Sequence, residues 1–304
     1  MSTINEAIAR KQQQDALGSK NNNAGEVKSA VPEQVEAELL PLKPVQGLTE
    51  KESLIIDLEL LKRNQFLIPQ EKFERNEQCK EQATLREECR QIKRKLLNNA
   101  FGATSKTLDH PNLIMITSSQ KNEGKTFISI NLALSIALEQ DKTVLLVDAD
   151  VLKPSIPHVL GFKNKPGLID YLNGDMDSIA DIIYETNINN LKILPAGKSH
   201  HLANELLASE KMTLLCEELS TRYSDRLVIF DSPPLLGVNE TSLLAQLMGQ
   251  ALIVVEENKS SIHEIQQANE LLPEHLAKGL VLNKAIHSQQ EKYGYYGYGY
   301  GHKN

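Results

Sequence analysis

Six short apolar runs punctuate the middle of the chain: LIMIT at 113–117, TVLLVD at 143–148, LKIL at 191–194, RLVIFD at 226–231, ALIVVE at 251–256 and GLVLN at 279–283. Each has the length of a strand, and their continuous apolar character is that of strands covered on both faces. Stretches with helical spacing lie between them, at about 125–139, 204–222, 239–248 and 260–272. Strand and helix alternating in this way predict an α/β fold, a mostly parallel sheet with helices on both faces.

The flanks read differently. Residues 1–47 are rich in Gln, Asn, Lys and Glu, with Pro32, Pro41 and Pro44 and no regular apolar spacing, and are expected to form a disordered tether. A helical lead-in is expected over 48–110. Thr49 and Glu52 have the spacing of a capping box, followed by a helical stripe of Leu54, Ile55, Leu58 and Leu61. A second helix is expected over 77–99, with Leu85, Cys89, Ile92 and Leu96 on one face and Glu87, Arg90, Lys93 and Arg94 on the other. The alternating domain spans 111–287. Residues 288–304 carry a Tyr/Gly-rich tail with no apolar periodicity: five of the eight tyrosines, Tyr293, Tyr295, Tyr296, Tyr298 and Tyr300, fall within it.

Composition narrows the class. Lys and Arg number 33 against 40 Asp and Glu, a net charge of −7, which argues against bulk nucleic-acid binding. No apolar run approaches the roughly 20 residues that span a bilayer, and the first residues have no apolar core of a secretory signal, so a cytoplasmic protein is expected. Cys79, Cys89 and Cys216 match no metal-ligand spacing and read as reduced thiols.

Three motifs carry chemistry. Ser119, Gln120, Lys121, Asn122, Glu123, Gly124, Lys125 and Thr126 follow the first strand and open a helix, the context of a phosphate-binding loop. Loop amides and the helix N-terminus would cradle phosphates, Lys125 would reach the β- and γ-phosphates, and the Thr126 hydroxyl would bind Mg²⁺. Ser119 stands where the pattern asks for glycine, and Asn122 replaces a second glycine while tolerating a left-handed turn. Asp148 and Asp150 end a second buried strand, and Asp231 ends a third before Pro233 and Pro234. Carboxylates at the C-terminal edge of a parallel sheet suit a hard cation held with nucleotide phosphates. Together the motifs read as an Mg·ATP site.

Their order, with the tyrosine cluster behind them, resembles the bacterial tyrosine autokinases (BY-kinases) of capsule and exopolysaccharide assembly, in the form without membrane spans. The resemblance covers about 48–304. It implies a P-loop NTPase fold and ATP-dependent autophosphorylation of the tail tyrosines, in trans within an oligomer. By position it implies catalytic roles for Lys125, Asp148 and Asp150, metal binding by Thr126, Asp150 and Asp231, and an adenine contact from Asn283. Asp148 is the candidate proton acceptor, although the sequence does not divide base from metal ligand between Asp148 and Asp150. Glu87, Arg90 and Lys93 fall at the spacing of the family's ring-forming segment, with Lys for its last Arg. Leu152 stands where the family tends to carry Arg, followed by Lys153. The expected partners are a membrane-embedded polysaccharide chain-length protein as activator and a phosphotyrosine phosphatase. The chain would then sit at the inner membrane through that activator. Two other classes share the fold: a positioning ATPase, whose signature lysine position is here Gln120, and a nucleotide-binding export scaffold with little kinase activity.

Overall fold

The structure is a computed structural model that describes residues 53–68 and 77–285, with backbone alone for 77–81. The sequence-expected tether, the Thr49–Glu52 cap and the tail tyrosines lie outside the described residues.

A seven-stranded sheet forms the centre: β1 (Leu113–Ser118), β2 (Thr143–Asp148), β3 (Tyr184–Glu185), β4 (Leu191–Leu194), β5 (Arg226–Asp231), β6 (Gln250–Glu256) and β7 (Ala277–Asn283). The order is β3-β4-β2-β5-β1-β6-β7, and every pairing is parallel except that of β3 with β4. All six expected strands are present. The short β3 is an addition that the sequence did not announce.

The strands are apolar on both faces because each face meets its own core. Leu113, Met115, Leu145, Val147, Val228, Phe230, Ala251 and Ile253 point to one cluster. Their immediate neighbours Ile114, Ile116, Val144, Leu146, Leu227, Ile229, Leu252 and Val254 point to the other. This is the two-residue period of a strand applied to two dry faces.

Helices close both layers. The second core contains the long helix α2 (Glu77–Phe101) and α3 (Lys125–Ala137), while α1 (Leu58–Arg63) and the segment before it add Leu54, Ile56 and Leu61. The other core is covered chiefly by α5 (Leu168–Asn173), α6 (Ile179–Ile182), α7 (Ala203–Leu207), α8 (Glu210–Thr221), α9 (Asn239–Ala245) and α10 (Ile262–Glu270). The small α4 (Ile156–Leu160) lies just after the second acidic motif. Cys89 and Cys216 are buried free thiols, and burial pushes each up to about 12, so they stay protonated and inert.

Two local expectations are corrected. The stripe Leu54, Ile55, Leu58, Leu61 does not lie on one helix. Leu54 and Ile56 are buried and Ile55 is 73% exposed, the alternation of an extended segment. Leu54 bridges to Thr186 beside β3, and the helix begins only at Leu58, where the Asp57 carboxylate caps the amides of Glu59 and Leu60. The backbone groups of the β3 edge won over helical periodicity. Lys93, in turn, does not share the outer face of α2 with Glu87 and Arg90. Its ammonium is buried, donates to the Ser135 carbonyl at 3.0 Å and pairs with Glu139 at 2.5 Å. Its long stem lets it lie along the apolar seam against α3. Glu87 and Arg90 remain exposed and pair with each other at 2.6 Å.

Candidate functional site

The C-terminal ends of β1, β2 and β5 lie side by side, because β5 pairs with both β1 and β2 and places Asp148 opposite Asp231. The loop after β1 and the N-terminus of α3 rise over this edge. The first amides of α3 have no partner within the helix and carry its positive dipole end. A cleft of about 540 Å³ opens here, lined by Lys121, Asn122, Gly124, Lys125, Thr126 and Phe127 on one side and by Asp150, Leu152, Lys153, Ser155, Pro233, Pro234 and Val238 on the other.

Inside it the side chains form one connected set. Lys125 is buried with its ammonium 3.2 Å from Asp150 Oδ2. The Thr126 hydroxyl donates to Asp231 Oδ2 at 2.7 Å and lies 3.1 Å from the Ser155 hydroxyl. Ser129, one turn along α3, donates to Asp231 Oδ1 at 3.0 Å. Asp148 is fully buried behind Asp150 and does not line the cleft; it accepts from the Ile156 amide of α4 at 3.2 Å through Oδ2, while its buried Oδ1 has no partner.

Electrostatics mark the carboxylates as short of positive charge. Burial, then the charge of Asp231, pushes Asp148 well above the usual carboxylate range. Burial raises Asp231 to about 6 against the opposing pull of Lys125 and the Thr126 and Ser129 hydroxyls. A divalent cation fits this donor set: a threonine hydroxyl beside a buried carboxylate, with an unpartnered carboxylate oxygen behind. Among the described residues no three acidic, His or Cys side chains form a metal cage.

The other half of the loop faces away from the cleft. Glu123 is 1% exposed, and its carboxylate accepts from the Ser119 hydroxyl at 2.8 Å, the Gln120 amide at 2.7 Å and the Ser260 hydroxyl. The Gln120 side chain reaches Glu264 on α10 at 3.2 Å. Asn122 has φ +69° and Gly124 φ +98°, both left-handed. At Gly124 the φ favours glycine, and a Cβ there would meet Asn283 Nδ2 at 1.9 Å, so that carboxamide would have to shift. Asn283 Nδ2 donates to the Glu123 carbonyl at 2.8 Å, so its carboxamide is engaged on the loop.

The structure therefore brings Lys121, Asn122, Gly124, Lys125, Thr126 and Asp150 to the cleft, Asp231 beneath it and Asp148 deeper still. It places Ser119, Gln120 and Glu123 in the backing of the loop. Sequence reasoning missed Ser129, Ser155, Ser260 and Lys284. Only Ser129 had a signal, three residues after Thr126 and therefore on its helix face.

The chain is similar to known proteins. Residues 112–287 match the AAA domain family. The tyrosine-protein kinase YwqD of Bacillus subtilis is 33% identical over 60% of this chain and 77% of its own length. The tyrosine-protein kinase Wzc of Salmonella typhi is 33% identical over 62% of this chain and 26% of its own. The crystal structure of the VpsO kinase domain superposes with a TM-score of 0.56 at 31% identity, covering 67% of this chain and 98% of that one. Against longer relatives the chain spans about a quarter of their length. The chain belongs to the AAA domain family and to the bacterial tyrosine-protein kinases.

Proposed function

We propose that this chain binds Mg·ATP in the cleft and transfers the γ-phosphoryl group to Tyr293, Tyr295, Tyr296, Tyr298 and Tyr300 of a neighbouring copy, as part of the control of exopolysaccharide polymerisation and export. The observation that carries this reading is the convergence of Lys125, Thr126, Asp150 and Asp231 on one cleft, in a chain whose last residues hold five tyrosines.

Phosphoryl transfer needs positioning and charge stabilisation more than covalent chemistry from the protein. Mg²⁺, when bound, would neutralise charge on the β- and γ-phosphate oxygens. Lys125 leaves Asp150 for the γ-phosphate and stabilises charge as the bond to the leaving oxygen breaks. Thr126 and Asp231 present oxygens beneath it, with Ser129 fixing the Asp231 carboxylate. The phenol of the incoming tyrosine ionises near pH 10 and must lose its proton as its oxygen attacks. The Asp148–Asp150 pair supplies the acceptor: Asp150 faces the cleft, and Asp148 lies buried behind it. Asn283 keeps the adenine contact as a second task once nucleotide enters.

Residues 285–292 reach at most about 28 Å when extended, which favours transfer between copies. Each phosphate adds about −1.5 to −2 charges, so a fully modified tail repels its neighbours and loosens an oligomer. Exposed Glu87 and Arg90 on α2 are the proposed ring contact. The proposed partners are a membrane-embedded polysaccharide chain-length protein that activates the kinase and holds it at the inner membrane, and a phosphotyrosine phosphatase. Among the described residues no helix is long and apolar enough to cross a membrane.

The test is mass spectrometry of the tail after incubation of the purified chain with Mg·ATP, with and without the cytoplasmic segment of the partner. Phosphotyrosine at those five tyrosines that disappears in Lys125→Met is the expected result. ATP hydrolysis without any phosphotyrosine would instead favour a positioning ATPase or an export scaffold. Sedimentation of phosphorylated and dephosphorylated protein checks the oligomer; identical assembly states would sink that part.

A further inference from the structure

Two consecutive carbonyls of the phosphate loop are held by two consecutive side chains at the end of β7. Asn283 Nδ2 donates to the Glu123 carbonyl at 2.8 Å, and Lys284 Nζ donates to the Asn122 carbonyl at 2.9 Å. The Lys284 ammonium is itself anchored 2.9 Å from Glu256 Oε2 at the end of β6. Asn122 and Gly124 line the cleft, whereas Asn283 and Lys284 do not. The hold therefore comes from outside.

Peptide geometry turns this into a statement about the other side of the loop. There are no cis peptide bonds among the described residues. In a trans peptide the carbonyl of one residue and the N–H of the next point in opposite directions. Drawing the carbonyls of Asn122 and Glu123 outward turns the amides of Glu123 and Gly124 inward, where phosphate oxygens would meet them. Lys284 (φ +57°) and Asn122 (φ +69°) are both non-glycine residues in the left-handed region, and they are joined by this bond. Such a conformation persists in a non-glycine residue when its surroundings over-determine it.

We propose that Lys284 is a positioning residue for the phosphate loop, a strut from the end of the last strand that holds the Asn122 carbonyl outward and so does for this loop what glycine at position 122 would do by conformational freedom. Asn283 braces the next carbonyl in the same way. The proposal rests on the cleft being the nucleotide site, and it adds a residue that touches neither phosphate nor metal.

Nucleotide binding tests it without reference to kinase activity. The probe is a fluorescent ADP analogue titrated, with Mg²⁺, into the full chain. Lys284→Met is expected to weaken binding about tenfold, the size of a lost ionic hydrogen bond. Lys284→Arg retains a donor and stays within about threefold of the original chain. Glu256→Gln, which loosens the anchor and leaves the fold's apolar packing untouched, weakens binding in the same direction by a smaller factor. The decisive arm is Asn122→Gly: in that background Lys284→Met should cost less than about threefold, because glycine holds the turn without help. Equal binding by Lys284→Met and the original chain overturns the strut, and so does a tenfold loss that persists unchanged beside Gly at position 122. No binding by the original chain overturns the nucleotide-site reading and the strut with it.

Discussion

The two sides of the phosphate loop are built from opposite chemistry. The side facing the cleft keeps its charges close to where a ligand would need them: Lys125 over Asp150, and Thr126 over Asp231. The side facing the protein uses polar groups to satisfy one another. Glu123 gathers Ser119, the Gln120 amide and Ser260, and Asn283 and Lys284 take the two loop carbonyls. A buried carboxylate is tolerated when its lone pairs are filled. The comparison teaches that a loop poor in glycine can keep a tight shape through its backing, and that the two sides should fail differently when broken.

The largest effect belongs to the cleft side. Lys125→Met should lower the initial rate of phosphotyrosine formation by about 10³-fold, the scale of losing a charged donor to the transferring group; a loss under tenfold would leave the lysine no catalytic role. Asp231→Asn should follow at about 10²-fold, with a higher Mg²⁺ requirement in the same assay, since it removes the charge to which Thr126 and Ser129 donate. The backing should register in stability first. Gly124→Ala places a Cβ 1.9 Å from Asn283 Nδ2 at φ +98°. It is expected to destabilise the chain by about 2 kcal/mol in urea unfolding. An unchanged midpoint would show Asn283 to be free to swing aside. Glu123→Gln should cost about 1–2 kcal/mol in the same experiment, while lowering the phosphorylation rate far less than Lys125→Met does. Ser260→Ala should be the mildest, about 1 kcal/mol, and only the part shared with Glu123 should vanish in a Glu123→Gln background, because Ser260 also accepts from the Glu256 amide at 2.8 Å.

The sheet and the cleft side of the site were legible because their signals are local. A strand buried on both faces is apolar through its middle, so the runs at 113–116 and 227–230 announce themselves, and the Asp231 that ends the second marks the sheet edge. The 54–57 segment misled because its apolar residues satisfy a period of two as well as a period near 3.6, and only the partner strand decides between them. Asp57, which caps α1, stands inside the stretch that the apolar stripe assigns to helix. The short helices α4 to α6 escaped notice, being interrupted by Gly161, Gly167 and Gly174 before a full amphipathic turn can repeat. The backing of the loop was illegible for a deeper reason. Glu123 meets Ser260 across 137 positions and Lys284 meets Asn122 across 162, and no residue type at either end specifies such a meeting. Lys93 was misassigned on the same ground: its inward turn depends on Ser135 of α3 and on Glu139 just past the end of that helix.

The end of β7 also sets where this molecule can be cut. A boundary drawn from the sheet alone would stop at Asn283, where the ladder with β6 ends. Trimming there removes Lys284 and leaves every described strand and helix in place. Fragments ending at 283 and at 285 should thus fold alike and differ in how well they hold nucleotide. The useful limit of a minimal fragment is set by one side chain beyond the last strand.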